Sequence, residues 1–187
     1  MREIAKLGAK LLLISAVAGL LLGATNAVTA GPIQAQSVAA ANAARQSVLP
    51  SAASFERAAE IPEGIDEIHL GYDASGTLAG CTGSITVQGY GGPIEITVGV
   101  GIDGAVAGVS VGGSNFQETA GLGAKTKDAA FTDRFRGLDS KAADSIAVVQ
   151  DGGAIDAVSA ATVSSRAVAN GVRQVCAALQ EYLAEGN

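Results

Sequence analysis

Two stretches carry side chains that packing alone does not call for. Residues 156–165, DAVSAATVSS, crowd Ser159, Thr162, Ser164 and Ser165 at the mouth of a long terminal helical pattern. Free N–H groups and the dipole at such a helix start favour a negative group, so a phosphate would be at home there. Ordinary capping by Ser159 or Thr162 uses a single hydroxyl and contributes about 1 kcal/mol, which leaves the others unexplained. The second stretch is residues 118–125, ETAGLGAK. There Gly121 and Gly123 free the backbone to approach a flat or anionic ligand, Leu122 supplies an apolar contact and Lys125 a positive charge, although two loop glycines are also common turn formers.

The elements that must position these groups follow from residue patterning. Apolar Val168, Val172, Val175, Leu179 and Tyr182 or Leu183 recur at spacings of three and four, which predicts an amphipathic helix from about Thr162 almost to the carboxyl end. Short β-type runs broken by glycine are expected at 65–72, 84–89, 94–102 and 105–111, with Asp103-Gly104 as the hairpin turn between the last two. Small residues in 105–111 allow close approach of a helix, and a sheet with one covered face follows. A short helix is expected over 127–136 and a further strand over 145–150.

Composition bounds the chemistry. The 187 residues hold 48% apolar and 16% charged side chains at a mean hydropathy of +0.33, enough for one domain with a real core and incompatible with wholesale disorder. Seven aromatics without tryptophan leave no stacking platform for nucleic acid. The formal charge is −6, and residues 1–30 with Arg2, Lys6, Lys10 and Glu3 carry +2 of it, so the remaining −8 makes an acidic body that also argues against phosphate-backbone binding. Cys81 and Cys176 stand far apart and the single histidine, His69, precedes both, so no zinc, haem or iron–sulfur spacing exists and no metal site is expected. A nucleophilic triad would need His69, which lies between Ile68 and Leu70 in a strand pattern and reads as a surface or core histidine.

Residues 11–29 carry no charge over 19 positions. A helix of that length covers roughly 28 Å, the thickness of a bilayer core. Arg2, Lys6 and Lys10 precede it and the next positive charge is Arg45, so the amino end is expected in the cytoplasm and the remainder outside. A retained anchor is the main expectation; a secretory signal cut after Val28-Thr29-Ala30 is the rival, and both export the rest of the chain. Residues 31–61 are rich in Ala, Ser and Gln and predict a connector of one or two short helices with Pro50 as a break. The expected organisation is therefore an anchor over 1–30, a connector over 31–61 and a domain over 62–187.

Taken together, the two chemistry-bearing stretches resemble one family: the FMN-binding domain shared by the G subunit of the Rnf electron-transport complex and the C subunit of the sodium-translocating NADH:quinone reductase. That family attaches FMN through a phosphoester on the threonine of a D-(G/A)-x-(S/T)-G-A-T motif. Asp156, Ala157, Val158, Ser159, Ala161 and Thr162 match it, which implies Thr162 as the attachment residue. A second signature, E-T-P-G-L-G-A-K, is matched by Glu118, Thr119, Gly121, Leu122, Gly123, Ala124 and Lys125. Ala160 replaces the usual Gly, Ala120 replaces Pro, and Val163 stands where Ser or Thr is common.

The resemblance implies an α+β fold: one amino-terminal transmembrane helix, then an FMN-binding domain with a twisted, mainly antiparallel sheet packed against helices. It implies a flavin site formed by Glu118, Thr119, Leu122, Gly123, Ala124 and Lys125 together with Ser159, Ala160, Ala161 and Val163. Leu122 would lie against the isoalloxazine face, with the N–H of Gly123 or Ala124 near its polar edge. Asp156, Ser159, Ala161 and Thr162 would be read by a flavin transferase using FAD and magnesium. No residue of the chain would act as a catalyst, because the cofactor carries the chemistry.

The implied function is a membrane-anchored electron-transfer subunit of an ion-translocating ferredoxin:NAD oxidoreductase, with other membrane subunits, the transferase and the bilayer as partners. It would lie in the cell membrane as a single-pass protein with its FMN domain extracytoplasmic. Alternatives are a component like the C subunit of the quinone reductase, a non-redox anchored module gripping an anion, and a signal-cleaved secreted protein. Nothing in the chain has the glycine-and-acid spacing of a nicotinamide site. Cys81 and Cys176 are expected either as a disulfide or as two buried thiols.

Overall fold

The computed structural model describes residues 2–184. By internal contact the chain divides between Ala39 and Ala40 into two units. The first consists of most of helix α1 (Arg2–Val48). Its apolar side chains bury nothing within the unit, and Leu12 and Leu22 are each 72% exposed. The Thr25 and Thr29 hydroxyls donate back to the carbonyls of Leu21 and Thr25 at 2.8 and 2.9 Å. Polar groups satisfied inside an apolar helix suit a hydrocarbon surrounding.

The connector differs from expectation. Helix α1 continues through Pro32 and ends at Val48, two residues before Pro50. The Ala-rich flanks favour helix strongly enough to carry Pro32, whereas the residue before a proline resists the α conformation and closes the helix near Pro50.

The second unit is built on an antiparallel five-stranded sheet in the order β1 (Ser54–Arg57), β2 (Glu67–Tyr72), β3 (Leu78–Gln88), β4 (Pro93–Gly101), β5 (Val106–Gly112). Strand β1 falls inside the stretch expected as the connector; its four polar-flanked residues have no apolar alternation, and pairing with β2 alone makes it a strand. The β4–β5 hairpin turns at Asp103-Gly104 as the residue types predict, with Gly104 at φ +82° and its N–H donating to Gly101 C=O at 2.9 Å.

One sheet face presents Cys81, Ile85, Ile96, Val98 and Val100, all buried. Helix α3 (Thr162–Ala184) lies on it through Val168, Val172, Val175 and Leu179, as its periodicity predicts. A Cβ at Gly83 would sit 2.7 Å from Val175 Cγ1, so glycine sets how closely helix and sheet approach. The opposite face is also covered in part, contrary to the single covered face expected. There the backbone of Val48 rests against Gly99 and Gly108, so the small residues of β5 receive the end of α1 rather than α3. Arg45 pairs with Glu67 at 2.5 Å, and Gln46 Nε2 donates to Ala52 C=O at 2.9 Å, which tie that helix end to the domain.

Residues between β5 and α3 form short 3-10 turns (Gly123–Lys127, Asp133–Phe135, Ser140–Ser145, Val149–Asp151) and helix α2 (Ala129–Thr132). The strand expected over 145–150 is absent. Ile146, Ala147 and Val148 are buried as core filling, and Val148 makes only an isolated bridge to Ile155. The apolar run reflects burial and not sheet pairing. Cys81 and Cys176 are free thiols, both buried, and burial pushes each up to about 12.

Candidate functional site

The two stretches singled out in the sequence converge on one cleft of about 430 Å³. Glu118, Thr119, Leu122 and Gly123 line one side; Ala160, Ala161, Thr162, Val163 and Ser164 line the other. Tyr90, in the turn between β3 and β4, completes the rim. Ala124 and Lys125 lie on the adjoining 3-10 turn and are not among the lining residues, and Lys125 is exposed.

The four hydroxyls around the start of α3 divide into two pairs. Ser165 Oγ accepts from Val158 N–H at 2.9 Å and closes the loop onto the helix. Ser164 Oγ donates to Glu118 Oε2 at 2.8 Å and ties the helix to the other wall. Both serines are buried. Ser159 and Thr162 make no side-chain hydrogen bond among the described residues; Ser159 is exposed and Thr162 half-buried in the cleft wall. Thr162 is the first residue of α3, and the first bond of that turn runs from Ser165 N–H to Ala161 C=O at 2.9 Å. The N–H groups of Thr162, Val163 and Ser164 precede it and are open to a negative group.

Glu118 has a role that its residue type did not disclose. Its second oxygen, Oε1, accepts from Gly91 N–H at 3.0 Å, so one carboxylate joins the β3–β4 turn, its own loop and the start of α3. Added Cβ atoms at Gly89 and Gly123 would both run into this carboxylate, which explains those glycines without reference to a ligand. Gly121, by contrast, takes φ +79° and has open space around it. Thr126 Oγ1, fully buried, donates to Gly123 C=O at 2.7 Å and fixes the 3-10 turn.

Ala160 is the one non-glycine residue among those described with positive φ, at 60°. The backbone there adopts the conformation for which glycine is the usual residue. Asp156 is exposed, and its carbonyl accepts from the Arg134 guanidinium. Nearby, Arg166 grips Asp151 through two bonds of 2.5 and 2.8 Å, and its guanidinium holds the Asp151 carboxyl below the ordinary value. Sequence reasoning missed Tyr90 as a cleft residue, and it placed Ser164 among the hydroxyls at the helix mouth without including it in the flavin site. The run Gly89-Tyr90-Gly91-Gly92 was the available signal, an aromatic among glycines in a chain with few aromatics.

The arrangement suits a phosphate-bearing flat ligand. An unengaged hydroxyl and free N–H groups meet at one end, exposed Leu122, Val163 and Tyr90 offer apolar surface beside them, and the volume falls within the roughly 300–1,000 Å³ of small-molecule sites. Among the described residues no cluster of His, Cys, Asp and Glu could hold a metal.

The residues that line this cleft lie within 89–177, which match the FMN-binding domain family. The chain is 37% identical over 186 residues to the G subunit of the Na(+)-translocating ferredoxin:NAD(+) oxidoreductase complex of Acetobacterium woodii, covering 89% of this chain and 87% of that one. It is 32% identical to the G subunit of the ion-translocating oxidoreductase complex of Methanosarcina acetivorans, covering 89% of each. In fold it resembles the C subunit of the Na(+)-translocating NADH-quinone reductase of Parabacteroides distasonis, with TM-score 0.50, 21% identity, and coverage of 63% of this chain and 62% of that one. The chain belongs to the family of G subunits of ion-translocating oxidoreductase complexes of the Rnf type.

Proposed function

We propose that the chain is the membrane-anchored electron-transfer subunit of an Rnf-type ferredoxin:NAD oxidoreductase and carries FMN joined covalently to Thr162. Bound FMN supplies the redox chemistry, taking up and passing on electrons. The chain's own residues hold and shape. Thr162 Oγ1 is the acceptor of the phosphoester, the open N–H groups at the start of α3 receive the phosphate oxygens, and Leu122 and Val163 exclude water from the ring. The side chains of Asp156 and Ser159, exposed and without a hydrogen bond among the described residues, are available to a flavin transferase.

The observation that carries this reading is the partition of hydroxyls: two of four are consumed internally, and Thr162 is left at the cleft wall. A covalent tether also suits an extracytoplasmic domain, because a reversible site empties by mass action where free FMN is scarce. Basic residues before the apolar helix support an amino end in the cytoplasm. The relatives in Acetobacterium woodii and Methanosarcina acetivorans are G subunits, while the likeness to the quinone-reductase C subunit is one of fold alone.

Intact mass and in-gel fluorescence of the full chain from cells possessing the transferase test the proposal. The wild type is expected to carry one FMN phosphoester and to fluoresce under denaturing conditions; Thr162→Ala is expected to be dark and unmodified. An unmodified wild type from such cells overturns it.

A further inference from the structure

Tyr90 serves neither the core nor the sheet. Phe131, Phe135 and Tyr182 are buried, whereas Tyr90 is 76% exposed at the tip of the β3–β4 turn and still borders the cleft. Its mount is rigid. The turn is closed by Gly89 N–H donating to Gly92 C=O at 2.9 Å, and Gly91 N–H donates to Glu118 Oε1 at 3.0 Å. Glu118 is in turn held by the buried Ser164 hydroxyl, and a Cβ at Gly91 would collide with the carbonyl of Gln117. The backbone that carries the ring is thus pinned to both cleft walls while the ring itself remains in water.

Leaving a phenol ring in solvent on a fixed mount has no stability rationale, since a mobile polar turn would serve the hairpin equally well. An aromatic face at the rim of an apolar cleft does have a use: it covers a flat aromatic ligand. We propose that Tyr90 forms the third wall of the flavin site and covers the isoalloxazine ring together with Leu122 and Val163. Glu118 is the positioning residue that holds the Tyr90 turn in place. This rests on Thr162 as the attachment point, because a ring tethered there occupies the cleft that Tyr90 borders.

The test uses the full flavinylated chain in detergent, with intact mass to report flavin load and iodide quenching of flavin fluorescence to report ring access. Tyr90→Leu is expected to raise the iodide quenching constant at least about two-fold at unchanged mass, whereas Tyr90→Phe, which keeps the ring, stays at the wild-type value. Glu118→Ala is expected to match Tyr90→Leu, with the double variant no higher than either. Glu118→Gln, which keeps an acceptor for Gly91 N–H, is expected to stay near wild type. Equal flavin mass with an unchanged quenching constant in Tyr90→Leu overturns the role of Tyr90 alone. Wild-type chain lacking the added mass overturns this proposal and the attachment reading together. Tyr90 is exposed, so its variants test the idea even if Glu118→Ala does not fold.

Discussion

Ala160 shows how a single residue can carry strain into a functional loop. At φ 60° its Cβ crowds the following backbone, a conformation that costs an L-residue roughly 1–2 kcal/mol. The turn is nonetheless needed there, because Val158 N–H must reach Ser165 Oγ while Thr162 begins the helix. Replacing Ala160 with Gly removes the clash but leaves a freer unfolded chain, so a net gain of up to about 1 kcal/mol is expected. A higher thermal midpoint checks this, and an unchanged or lower one contradicts it. The motif that this loop resembles usually has Gly at this position, so the same variant is expected to raise the fraction of chain flavinylated when transferase is limiting.

The elements are held at a distance set by glycine. At Gly99 an added methyl would meet the carbonyl of Val48, a backbone atom with no rotamer to move aside. Gly99→Ala is therefore expected to destabilise the domain by about 1–3 kcal/mol, measured by denaturant unfolding of the full chain, and to loosen the end of α1 from the sheet. Between β3 and α3 the packing also acts on protons. Burial raises both Cys81 and Cys176 from an ordinary thiol value to about 12.

Those two shifts have a definite sign. Between pH 9 and 12 the unfolded chain loses thiol protons that the folded chain keeps, so their contribution to stability is complete below pH 9 and falls as pH rises toward 12. Replacing both thiols with Ala is expected to flatten that alkaline decline in unfolding midpoints. At the acid side His69 acts oppositely. Burial first, then Arg45, lowers its value below 6.5. Stability from that group is present above pH 6.5 and is lost as pH falls through the lowered value, and His69→Gln is expected to weaken the acid dependence.

Across the full chain, the boundary between Ala39 and Ala40 separates an apolar helix with exposed leucines from a unit that holds the entire hydrophobic core. A chain beginning at residue 40 is expected to stay soluble and folded, whereas the full chain is expected to pellet with membranes and resist alkaline carbonate. Recovery of the full chain in the soluble fraction contradicts the anchor. The sheet, the covering helix and the Asp103-Gly104 hairpin were readable from periodicity and turn chemistry. Strand β1 was not, because four residues without alternation become a strand only through β2. Residues 145–150 misled for the converse reason, as burial alone can produce a strand-like apolar run.

Legible in the residues alone were the local features: the uncharged run at 11–29, the 3.6-residue period of α3, and the hydroxyl-rich and glycine-rich motifs with Thr162 among them. Each depends on neighbours a few positions away, which is the range over which residue types dictate conformation. The folded chain was needed to show that Glu118 joins Gly91 and Ser164, that Ser165 and Ser164 are consumed while Thr162 is not, and that Val48 lies on Gly99. Those contacts join separate elements, Glu118 and Ser164 being 46 positions apart. Their geometry is set by how closely sheet and helices can pack, a property of the assembled chain that no short stretch of it encodes.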